Sequence, residues 1–80
     1  MQNMSSYRNS PLTPDIWLRD LFSSKAARDG KVIRRKSEDI ERLLGWPLFT
    51  AELDRRGYHA VENCGQVVIF CNQAPVRVLR

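Results

Sequence analysis

Long hydrophobic runs are missing from this chain of 80 residues. No stretch approaches the roughly 20 apolar residues that cross a bilayer. The first residues carry a lone charge, Arg8, and no apolar block of secretory type. A soluble, cytoplasmic protein without a membrane partner is therefore expected, with Met4 as an alternative start. Cysteine is scarce too: Cys64 and Cys71 do not make a disulfide framework. A hairpin turning at Cys64-Gly65 or Gly65-Gln66 sets Cys71 opposite Tyr58 or Ala60. The thiols are then on the order of 12 Å apart at ~3.3 Å per strand residue, beyond the ~7 Å Cα limit of a bridge. Both are expected as buried free thiols.

Histidine occurs once, at position 59. Glu62 lies three residues along an extended strand and so on its opposite face, which leaves His59 without a catalytic partner. Zinc is excluded by the lack of paired cysteine spacing, and Cys71 lacks a base that would activate it. The four glycines are isolated, so no phosphate cradle exists. No catalytic residue, metal or cofactor is expected.

What is present is a globular mixture, 42% apolar and 28% charged, of a size that makes one domain with a small core. Thirteen Lys and Arg against nine Asp and Glu give +4, a balance that favours approach to polyanions. Residues 1–12 are polar and read as a disordered tail. Residues 13–80 read as a single α+β domain.

"TPDIWLRDLFSSKAARDG" begins as a helix should. Thr13 is a cap, Pro14 suits the first helical position, and Asp15 complements the dipole. Trp17, Leu18, Leu21, Phe22 and Ala26 form a stripe at helical spacing, and Gly30 closes it. "KVIRRK" reads as a short edge strand. Ser37 caps a second helix, with Ile40, Leu43 and Leu44 inside, and Gly45 stops it. Pro47 opens a third, with Phe49 and Leu53 inward, closed by Gly57. Two short helices joined without a loop have the geometry of a helix-turn-helix pair. "YHAVENCGQVVIFCN" reads as strand, tight turn, strand, and the run Val67–Cys71 has the apolar continuity of a strand covered on both faces. After Pro75, "VRVL" alternates as a last short strand.

This order resembles the winged helix-turn-helix superfamily over residues 13–72. "SEDIERLLG" and "WPLFTAELDRRG" stand for the helix pair and "YHAVENCGQVVIFCN" for the wing. The resemblance rests on element order and length. It implies three helices packed on a three- to four-stranded antiparallel sheet. One hairpin face would pack on the helices, the other under the N-terminal segment or the "PVRVL" tail. It also implies a third helix that enters the major groove, with Thr50 and Arg55 as contacts. Asp54 and Glu52 on that helix, and Glu38, Asp39 and Glu41 on the one before, make both contact helices mixed in charge. "VVIFC" is more apolar than a plain wing.

Arg34, Arg35 and Lys36, joined by Lys31, form the densest basic patch. They suit an edge strand blunted by charge against aggregation before they suit phosphate contacts. Alternation along a strand points Arg34 and Arg35 to opposite faces. Arg55 and Arg56 also suit the negative end of a helix dipole. Trp46, in the turn between helices, and Tyr7 are the aromatic residues expected to be exposed, and Trp46 beside Pro47 suits a protein-binding anchor. The first functional expectation is a small non-enzymatic regulator binding DNA or RNA through Arg34, Arg35, Lys36, Thr50 and Arg55. The alternative is a protein-interaction module without nucleic-acid activity, using Trp46 or the "PVRVL" edge. Nothing in the sequence sets the oligomeric state.

Overall fold

The structure, a computed structural model, describes residues 13–80. The expected tail over residues 1–12, with Tyr7, lies outside the described residues. Helix α1 (Pro14–Phe22) starts as its sequence dictates. Thr13 is extended, its hydroxyl accepts from the Ile16 N–H at 3.3 Å, and Pro14 occupies the first turn. The expected continuation to Asp29 breaks at Ser23-Ser24. The Ser23 hydroxyl donates to the Asp20 carbonyl at 3.3 Å and that of Ser24 to the Leu21 carbonyl at 3.0 Å. Ser24 then caps a separate single turn, α2 (Lys25–Arg28), by accepting from Ala27 N–H. Serine hydroxyls compete with the helix ladder for backbone groups, and two in succession end it. Four helices result among the described residues, one more than expected.

Strand β1 (Val32–Lys36) leads straight into α3 (Ser37–Leu43), and α4 (Trp46–Arg56) follows after Leu44 and Gly45 alone. Gly45 makes that junction possible. Its φ of 81° is open to glycine, and its N–H donates back to the Ile40 carbonyl at 3.0 Å. Ser37 does not cap α3 through its side chain. Its hydroxyl is buried without a hydrogen-bond partner, while its N–H donates to the Gly65 carbonyl at 2.8 Å and ties the helix to the hairpin tip.

The hairpin strands are β2 (His59–Asn63) and β3 (Gln66–Phe70), turning at Cys64-Gly65. The sheet is antiparallel in the order β1-β3-β2. β3 is therefore the central strand, which explains its apolar run. Its inward side chains Val67 and Ile69, with Cys71 beyond the strand end, are 2%, 0% and 3% exposed. They join Ile33, Ile40, Phe49 and Leu53 in one core with Leu18, Leu21 and Phe22. Each such burial stabilises by about 1.5–3 kcal/mol before entropy is charged against it.

Of the two covers expected for the other face of the sheet, the N-terminal segment lies outside the described residues, and the tail is not there. Val68 and Phe70 are only half-buried, and Val32 and Val61 beside them are exposed. The "PVRVL" tail does not pack there: Val78 and Leu79 are 80% and 79% exposed, and residues 71–80 form no strand. Both edges of β3 are already taken, Pro75 has no N–H to donate, and the Asn72 side chain accepts from Ala74 N–H in a local turn. The result is a small α+β domain of helices and a three-stranded sheet, compatible with a winged-helix-like fold. No helix among the described residues is long and apolar enough to cross a membrane.

Candidate nucleic-acid interface

Strand pairing decides where the basic residues of β1 point. Arg34 lies opposite Val68, which lies opposite Val61 in turn; Lys36 shares a row with Gln66 and Asn63. These rows alternate with the one holding Ile33, Ile69 and Ala60, whose side chains enter the core. Arg34 and Lys36 therefore stand on the outer face, away from the helices, about 7 Å apart by the ~3.3 Å rise of a strand. Arg35 belongs to the inward row with Val67 and Glu62, and its guanidinium donates to the neighbouring Arg34 carbonyl at 2.6 Å.

The salt bridges among the described residues join Lys25 to Asp29, Arg42 to Asp39, and both Arg55 and Arg56 to Glu52. None of them uses Lys31, Arg34, Arg35 or Lys36, all exposed. The charge of β1 is thus uncompensated by a direct partner, while that of α4 is tied down. The Glu52 side chain is 14% exposed and takes Arg55 through both carboxylate oxygens and Arg56 at 2.6 Å. The Arg55 hydrogen bonds, seconded by those of Arg56 and opposed by partial burial, hold the Glu52 carboxyl below its ordinary value. The same pairing raises Arg55. Arg56 also lies 4.6 Å from the Phe22 ring centroid. An Arg55 that contacts phosphate has to give up Glu52 first. Thr50, though exposed, donates its hydroxyl back to the carbonyls of Trp46 and Pro47 at 3.0 and 3.2 Å.

The structure therefore divides the residues that the sequence grouped. Arg34 and Lys36 share the outer sheet face, Arg35 turns inward at the β1 edge, and Thr50 and Arg55 ride on the helix layer behind the sheet. Trp46, expected to be exposed, is half-buried and packs on the core, its ring 6.0 Å from Phe49 in an edge-to-face contact. It lines, with Thr50, Leu53 and Ala60, a groove of about 150 Å³ between α4 and the hairpin. A larger cleft of about 390 Å³ lies between α1 and α4, walled by Asp15, Arg19 and the Glu52 ion pairs.

The thiols part ways. Cys71 is buried as expected, and burial pushes its thiol up, which disfavours the nucleophilic thiolate. Cys64 is exposed, contrary to expectation, because it forms the hairpin tip at φ 51°. His59 pairs with Phe70 in an outer-face row and Glu62 in an inward one. Among the described residues no group of three or more His, Cys, Asp or Glu is placed to hold a metal ion.

Sequence reasoning missed the outer row of Phe70 and Val68 as an open surface. The signal was available as period-two alternation inside "VVIFC", where every second residue faces away from the helices. No family model matches the chain, and no curated protein or solved structure matches it either.

Proposed function

We propose that this protein is a small non-enzymatic regulator of winged-helix-like type that binds nucleic acid through the β1 side of its sheet. The observation that carries this reading is the unpaired basic strand. Lys31, Arg34 and Lys36 are exposed with no carboxylate partner among the described residues, whereas Arg42 pairs with Asp39, and Arg55 and Arg56 share Glu52, within their own helices. Cations left free in this way supply counterion release on meeting phosphates. The pairing of β1 with the hairpin supports it further, since Lys36 is brought into line with Gln66 and Asn63 beside the turn.

An amide NMR titration with mixed-sequence oligonucleotides, single-stranded and duplex, at low and then higher salt tests the reading. Salt-sensitive shifts centred on residues 31–36 and the Gly65 turn are expected. A spectrum that stays still at low salt, where electrostatic binding is strongest, refutes it. The assignment then passes to a protein-interaction module, for which the exposed Val78 and Leu79 of the tail are the supporting feature.

A further inference from the structure

The outer face of the sheet combines three things seldom left open together. Its central strand offers an aromatic ring, Phe70, and next to it Val68, both half-buried and flanked in their rows by Val32 and His59 and by Arg34 and Val61. Its β1 edge offers Arg34 and Lys36. Its β2 edge offers His59, directly opposite Phe70, and Asn63 near the turn. No Asp or Glu occupies any of the rows that face outward.

Size and charge narrow the occupant. Five residues along each strand and three strands across make a face of roughly 200 Å², at ~3.3 Å per residue and ~4.8 Å between strands. A standard-size protein interface buries about 800 Å² of accessible surface on each side, and so spreads well beyond this three-stranded footprint. A second copy suits it no better, because it would bring its own Arg34 and Lys36 to a face with no carboxylate to receive them. A duplex satisfies the cations but not Phe70, since its bases are stacked and paired within the helix. An unpaired strand satisfies both. Its bases stack on the ring, and its phosphates, spaced along an extended backbone much as Arg34 and Lys36 are along β1, meet the cations.

Resting on the nucleic-acid reading above, we infer that the ligand is single-stranded nucleic acid laid across the outer sheet face, with a base stacked on Phe70 beside His59 and phosphates on Arg34 and Lys36. Asn63 and Gln66 stand where base edges pass the hairpin end.

Fluorescence anisotropy with a labelled mixed-sequence single strand, and with the same sequence as a duplex, tests the inference on the full chain. Phe70→Leu keeps apolar volume and removes the ring. His59→Ala alters an exposed side chain and spares the core. Tighter binding to the single strand than to the duplex is expected. Phe70→Leu should weaken the single strand by about tenfold or more, the scale of one lost base stack, and leave the duplex nearly unchanged. His59→Ala should act in the same direction with a smaller effect. If both variants bind the single strand as the parent does, or if duplex is preferred, the inference falls while the nucleic-acid reading stands. If neither nucleic acid binds, both fall together. Polyglutamate that displaces the strand as well as unlabelled oligonucleotide also overturns it, for the face would then sense charge alone.

Discussion

Neutralising Arg34 and Lys36 together discriminates most sharply between the two basic regions of the fold. Both side chains are exposed on the outer face, and neither has an ion-pair partner among the described residues. Arg34→Gln/Lys36→Gln should therefore change folding stability by no more than about 0.5 kcal/mol, as for ordinary surface sites. Its effect on binding is larger and calculable. Each phosphate neutralised on a single strand contributes about −0.7 to the slope of log K against log salt. Losing two makes the slope shallower by about 1.4, so the affinity advantage of the parent shrinks about 25-fold over a tenfold rise in salt. Arg55→Gln is the matched control, because the Arg55 guanidinium is held in hydrogen bonds to Glu52, which it shares with Arg56; its slope should stay that of the parent. Arg35→Gln, on the inward row, should fall between. Anisotropy titrations at a series of salt concentrations read all of these slopes. A flattening by Arg55→Gln equal to that of the double variant, or an unaltered slope in the double variant, would refute the reasoning from strand register.

Two further predictions concern the scaffold. Ile69→Ala, at a central-strand position with no exposure, should cost about 2–5 kcal/mol in urea unfolding, whereas Val61→Ala, 44% exposed, should stay within about 0.5 kcal/mol; equal costs would mean that the sheet is seated otherwise. Glu52, held below its ordinary value of 4.5 when folded, contributes stability that is fully present above about pH 4.5 and is lost as pH falls through its lower folded value. Glu52→Gln should remove that part of the acid limb and cost on the order of 0.5–1 kcal/mol at neutral pH, discounted for its contact with solvent. An acid limb unchanged in the variant would show the ion pairs to be idle.

The elements that the sequence made legible are those whose signals are local and mutually consistent. Thr13-Pro14-Asp15, Gly45-Trp46-Pro47 and the Cys64-Gly65 turn each place a boundary within a residue or two of where it lies. The edge position of "VIRRK" followed from charge in a β-branched segment, and its pairing with β3 agrees. Where local signals compete, legibility ends. Apolar spacing carried the first helix on to Ala26, but two serine hydroxyls took the backbone groups that continuation required. "VRVL" alternates as a strand does, yet a chain leaving the centre of a sheet has no free edge beside it.

The proposed binding surface was hidden for a different reason. A run such as "VVIFC" is written the same way whether its second face is covered or offered, since both cases put apolar side chains at every position. What separates them is which residues lie across from that face on the neighbouring strands. Only the register supplies this, by setting Val68 between Arg34 and Val61 and Phe70 between Val32 and His59. Had the edge strands placed aliphatic residues at all of those positions, burial under a further layer would be the natural reading. A cation and an imidazole among them, with no carboxylate, instead suit a partner that is itself part aromatic and part anionic. That pairing of register with charge makes the outer sheet face, rather than the helix surface favoured by element order, the place where binding should be sought.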